Sequence, residues 1–203
     1  MKISWILMLA CASLAFAADG AADNATSINP LLIGADLPSA QLTNSAGETV
    51  DLAEVAGEQP TVLVFYRGNW CPICNRHLQE LQPYLADLKA AGYAFYAINQ
   101  DNAETNSASM KKQKFEFEVL ADGEMAAARG LGLAFKVDEN TVKQYKQYGI
   151  DLVGLYGRAE PEMTVPAVLI VRDGKIRFSY VNPDYRERLD PKVLVTAAQS
   201  LAK

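Results

Sequence analysis

The feature that most constrains this chain is a junction. The apolar run Thr61-Val62-Leu63-Val64-Phe65-Tyr66 gives way to Arg67-Gly68-Asn69, and Trp70-Cys71-Pro72-Ile73-Cys74 follows at once. A short, β-branched run without polar alternation predicts a strand buried on both faces. Pro72 has the fixed φ and missing N–H that suit a first helical position, so a helix is expected to start there with Cys71 at its N-cap. Free amides and the positive end of the helix dipole favour a thiolate at such a cap, so Cys71 is expected to be an acidic thiol at an exposed tip.

The helix that follows sets the direction of the second sulfur. Cys74, Leu78, Leu81, Leu85 and Leu88 recur at spacings of four and three and form one face. Cys74 therefore opens the core-facing stripe, which suits an attacking Cys71 paired with a sheltered resolving Cys74. Pro83 is expected to kink this helix. A bridge between Cys71 and Cys74 would close a loop with two intervening residues. Such a loop constrains the unfolded chain very little, so the pair reads as a bridge made and broken, not as a structural staple.

The 203 residues and their balance of charge, formally −5, suit one domain and offer no basic cluster to recruit nucleic acid or an anionic membrane surface. Met1-Lys2, an apolar run and a small-x-small end at Ala15-Phe16-Ala17 predict a secretory signal over residues 1–17. The run is too short for a retained membrane anchor. Residues 18–29 are small and polar and read as a flexible leader, leaving residues 30–203 as the folded domain of an exported, periplasmic or secreted protein. Removal of the signal would take Cys11 with it and leave Cys71 and Cys74 as the mature chain's cysteines.

The rest of the chain has a βαβ rhythm. Two short runs near Ala40–Thr43 and Glu48–Leu52 predict an N-terminal hairpin, and Tyr93–Ile98 predicts the strand after the cysteine helix. A helix over Ala103–Gln113, a strand at Phe117–Leu120 and a small helix capped by Asp122 follow. Val142, Tyr145 and Tyr148 stand at helical spacing and read as a core-facing stripe. Val165–Val171 and Lys175–Val181 flank Asp173-Gly174, a strong hairpin signal, and Asp190-Pro191 opens the last helix. The order is that of an α/β, thioredoxin-like fold: a central mixed sheet flanked by helices, with the first hairpin as an extension.

From about Asn29 onward, the chain resembles the peroxiredoxin-like branch of the alkyl hydroperoxide reductase and thiol-specific antioxidant family. The resemblance rests on Phe65-Tyr66-Arg67-Gly68 before Trp70-Cys71-Pro72-Ile73-Cys74, on Leu120-Ala121-Asp122, and on Asn182-Pro183-Asp184-Tyr185-Arg186-Glu187-Arg188. It implies that Cys74 stands at the peroxidatic position and that Cys71 replaces the family's threonine. The family's arginine near the equivalent of Pro166 is also missing. Pro166 instead resembles the cis-proline of disulfide oxidoreductases, whose preceding residue, here Val165, pairs with a substrate chain.

These readings make Cys71 and Cys74 the catalytic residues, with Arg67, Trp70, Val165 and Pro166 on the substrate surface. The main expectation is an exported thiol-disulfide oxidoreductase that needs no cofactor. It would act on protein thiols, disulfides or peroxides and draw electrons from a thioredoxin-like or small-thiol donor. The alternative within the same chemistry is a peroxide reductase attacking through Cys74. A reading of another class is a redox-inert domain that holds extended peptides in the Val165-Pro166 groove. Asn75 stands where a haem link would need histidine, and two cysteines with the single His77 fall short of a zinc set. His77 either moves protons near Cys74 or flanks the core stripe.

Overall fold

The strand at the junction, β3 in chain order (Thr61–Phe65), divides its side chains between two apolar layers. Val62 and Val64, with Tyr66 just beyond, pack in one layer, and Leu63 and Phe65 pack in the other. The period of two along a strand produces this split, and burial on both faces is why the run is continuously apolar. The computed structural model describes residues 20–202. The expected signal segment, residues 1–17, lies outside the described residues.

Before β3 come a hairpin of β1 (Gln41–Thr43) and β2 (Thr49–Asp51) and the one-turn helix α1 (Leu52–Val55), capped by the Asp51 carboxylate. After it, α2 (Pro72–Leu81) leads through a 3₁₀ turn at Gln82–Tyr84 into α3 (Leu85–Ala90). The break falls at Pro83, as its missing N–H requires. Next are β4 (Ala94–Asn99), α4 (Ala103–Gln113), β5 (Glu118–Ala121), α5 (Ala126–Gly130) and β6 (Ala134–Lys136). The chain ends with α6 (Glu139–Gln147), α7 (Leu152–Tyr156), β7 (Glu162–Thr164), β8 (Ala167–Arg172), β9 (Lys175–Val181) and α8 (Pro191–Leu201).

Seven strands make one mixed sheet in the order β2-β1-β5-β4-β3-β8-β9, and β6 pairs with β7 apart from it. The neighbours β3, β4 and β5 are parallel, whereas β8 runs antiparallel to β3, with Thr61 opposite Val171 and Phe65 opposite Ala167. Asp173 and Gly174 both take positive φ in the turn between β8 and β9, matching the tight hairpin that their sequence predicts. On one face of the sheet, Cys74, Leu78, Leu81 and Leu88 pack with Val64, Val168 and Leu194. On the other, Leu52, Leu120 and Leu131 pack with Leu63, Phe65 and Leu169.

Two expectations are corrected here. The described part of the leader is tied down. Ala22 exchanges backbone hydrogen bonds with Ala134 and Lys136, and Leu31 donates to Leu131. Asn29 passes so close to Gly132 that a Cβ there would stand 2.0 Å from its carbonyl oxygen. The small residues that read as flexible are thus an edge partner for β6, a pairing that involves residues far apart in sequence. The stripe on α6 is also not simply core: Tyr148 is 69% exposed, and Tyr145 turns toward the cysteine loop.

Candidate active site

Parallel sheets place their functional loops beyond the carboxyl ends of the strands, and the loops leaving β3 and β4 meet there. The link is specific: Asn69 N–H donates to Asp101 Oδ2 at 2.6 Å, and Asp101 Oδ1 accepts from the Tyr156 hydroxyl at 2.9 Å. That hydroxyl accepts in turn from Trp70 Nε1 at 2.7 Å. Gly68 is needed within this loop, since its φ is +146° and a Cβ would stand 2.6 Å from Trp70 Nε1. Burial raises the pKa of Asp101 and pushes that of the Tyr156 phenol upward, the latter aided by the Asp101 charge. The turn that presents the cysteines is therefore pinned by the loop after β4 and by α7.

Cys71 and Cys74 form a disulfide. Cys71 is the N-cap of α2, and its sulfur accepts from the Cys74 N–H at 3.3 Å; Pro72 takes the first helical position. The expectation of an exposed tip is corrected. Cys71 is 2% exposed and Cys74 is fully buried, because Trp70, Ile73 and the sheet layer close around the pair.

One guanidinium reaches this buried pair, and a second stands near the first. Arg188, from the loop between β9 and α8, donates through Nη2 to Cys74 Sγ at 3.3 Å. Burial and the neighbouring charge of Arg67 lower its pKa to about 10. Arg67 is 4% exposed and donates to the Tyr145 hydroxyl and, at 3.7 Å, to Met163 Sδ. Its guanidinium carbon lies 4.1 Å from the ring centre of Tyr185, 5.1 Å from that of Trp70 and 5.3 Å from that of Tyr145. Arg129, Arg158, Arg172, Arg177 and Arg186 each have a carboxylate partner. Among the described residues, no carboxylate pairs with Arg67 or Arg188.

The predicted site residues therefore converge unevenly. Cys71, Cys74, Arg67 and Trp70 come together as read. Val165 and Pro166 border the same region, but both are buried, and the Val165 N–H donates to Leu133 at 2.9 Å. It is thus not free to pair with a substrate chain, and no cis peptide bond occurs among the described residues. His77 is 4% exposed, with Nε2–H donating to the Leu189 carbonyl at 3.2 Å. Burial, then the Arg188 charge, lower its pKa to about 4, so it is a neutral core histidine. Arg188, Asp101, Tyr145, Tyr156 and Tyr185 were not among the predicted site residues. Arg188 lies in the segment that carries the family resemblance, but alternation cannot distinguish it from Arg186, which pairs with Asp184 at the surface.

Fold and site together define a thioredoxin-fold thiol oxidoreductase of the peroxiredoxin type. The sequence model of the AhpC/TSA family matches residues 33–179, and the chain belongs to that family. Peroxiredoxin Bcp of Escherichia coli (strain K12) is 27% identical over 106 residues, which are 52% of this chain and 67% of that protein. Among solved structures, peroxiredoxin Q of Xanthomonas campestris superposes with a TM-score of 0.63 at 17% identity, covering 87% of this chain and 99% of that one. Reduced Prx3 of Vibrio vulnificus, solved in complex with hydrogen peroxide, gives 0.66 at 20% identity, covering 83% and 99%.

Proposed function

We propose that this protein is a peroxide reductase in which Cys74 attacks and Cys71 resolves, the reverse of the roles expected from helix capping alone. The carrying observation is the Arg188 donor on Cys74 Sγ at 3.3 Å. A full positive charge adds Coulombic attraction to its hydrogen bond and so favours the thiolate over the thiol, which the neutral amide available to Cys71 does less. In the reduced enzyme, the Cys74 thiolate attacks a peroxide oxygen. The S–O bond forms as the O–O bond breaks, and the departing oxygen takes a proton and leaves as alcohol or water. The Cys71 thiol then attacks the sulfenic sulfur, expelling water and closing the observed disulfide. An external dithiol supplies the two electrons that reopen it.

In Cys71→Ser, a peroxide equivalent should convert Cys74 to a sulfenic acid that a nucleophilic trapping reagent labels; mass spectrometry reads the site. Labelling that is absent there, but present on Cys71 in Cys74→Ser, would overturn the assignment. The reading of a peptide-holding groove has less support, because the Val165 N–H is already engaged.

We also propose that the enzyme works outside the cytoplasm after cleavage following Ala17, a reading supported by the charged start and apolar run of residues 1–17. N-terminal mass analysis of protein recovered from the exporting host should find Ala18 first. Retention of Met1 would remove this proposal.

A further inference from the structure

The pocket beside the cysteine loop, of about 200 Å³, is lined by Arg67, Thr141, Tyr145, Met163, Val165 and Pro166, among others. None of its lining groups is acidic. Arg67 is therefore a cation, more than nine-tenths buried, that faces a cavity without a counter-ion. Its recorded donors engage a neutral hydroxyl, a thioether and aromatic faces, none of which neutralises a guanidinium. A buried charge is costly unless paired, and the nearby Arg188 adds repulsion. The Cys74 thiolate formed on reduction can compensate one of the two charges and leaves the other unmatched. Met163, Val165 and Pro166 contribute apolar wall, Thr141 and Thr164 add hydroxyls to the lining, and Tyr145 brings its hydroxyl to the cation.

We infer that Arg67 and this pocket form a carboxylate-binding subsite, which seats a small organic acid whose reactive group, a hydroperoxide or a thiol, is presented to the cysteine pair. The planar fork of arginine matches a carboxylate with two parallel hydrogen bonds, and the apolar walls accept a short hydrocarbon body. The inference rests on the peroxide-reductase reading for the reaction, but the subsite can be tested without turnover.

Calorimetric titration of the oxidised protein with benzoate and with benzamide, its uncharged counterpart, compares ligands of the same shape. Benzoate should bind at least ten times more tightly, and the preference should disappear in Arg67→Gln. Ala25→Phe, in the lining of the same pocket, should weaken benzoate binding also if Arg67→Gln fails to fold. Equal binding of the two ligands, or a benzoate preference that survives these substitutions, overturns the subsite.

Kinetics then distinguish the two sources of the acid. A carboxylated hydroperoxide against a neutral one of equal size tests the oxidant, and mercaptopropionate against mercaptoethanol tests the reductant. An Arg67-dependent preference of tenfold or more in kcat/KM in one arm identifies which it is. Benzoate binding without a preference in either arm overturns the substrate assignment. If no peroxide forms a sulfenate on Cys74, the reaction reading fails, while the titration still decides the subsite.

Discussion

At the scale of single residues, the proposed assignment of Cys74 as the reactive sulfur rests on charge. Cys71 has the helix N-cap and a neutral amide donor; Cys74 has Arg188 at 3.3 Å, with Arg67 close enough to depress the Arg188 pKa. A hydrogen bond to a charged group contributes roughly 1.5–3 kcal/mol, against about 1 for a neutral pair. Arg188→Gln, which keeps a neutral donor, should therefore slow sulfenate formation at Cys74 about two- to thirtyfold near neutral pH and move the rate profile to higher pH. Stopped-flow measurement across pH checks both. A residue that merely packs against the site would lower the amplitude of folded enzyme and leave the profile where it was. The same substitution removes one of the causes holding the His77 pKa down, so the ring's titration should shift upward from about 4.

At the scale of elements, α2 joins chemistry to core through one face. Leu78 is fully buried between Cys74 and Leu81 in the layer that packs on β3. Leu78→Ala should cost about 2–5 kcal/mol, whereas Leu85→Ala, at a half-buried position after the break, should cost less. Urea midpoints of the two variants give the comparison. This helix was legible because its signals are local: Pro72 at the start, a repeat of four and three, and Pro83 at the break. The hairpin at Asp173-Gly174 and the Asp190-Pro191 cap were legible for the same reason. The rest depends on contacts between residues far apart in sequence, which no local pattern encodes. Arg188 reaches Cys74 from 114 residues away, Tyr145 meets Arg67 from 78, and the Val165 N–H finds Leu133. Sequence spacing placed Cys71 on the correct side of the helix start, but it could not show that Trp70 and the surrounding layer would cover it.

At the scale of the whole molecule, two buried groups, His77 on α2 and Asp122 just after β5, should make stability almost indifferent to pH across a window where each alone would tilt it. Burial, assisted by the Arg188 charge, lowers His77 from 6.5 to about 4. Between these values the unfolded chain binds the proton more readily, so the His77 contribution is present above pH 6.5 and is lost as pH falls. Burial raises Asp122 from 3.8 to about 6, against the pull of the Ala127 and Ala128 amides and the Arg129 charge. Here the folded chain binds the proton more readily, so stability rises as pH falls from about 6 to 4. Asp101, also raised by burial, adds to the Asp122 side. The carboxyls held below their ordinary value, such as Asp184 at about 2, act at lower pH and leave this window alone. His77→Gln should therefore become more stable on going from pH 6 to pH 4, Asp122→Asn should become less stable, and the unmodified protein should lie between them with a shallow slope. Denaturant unfolding at pH 4, 5 and 6 tests this. Parallel curves for the two variants would mean that neither group is buried in the protonation state assigned to it.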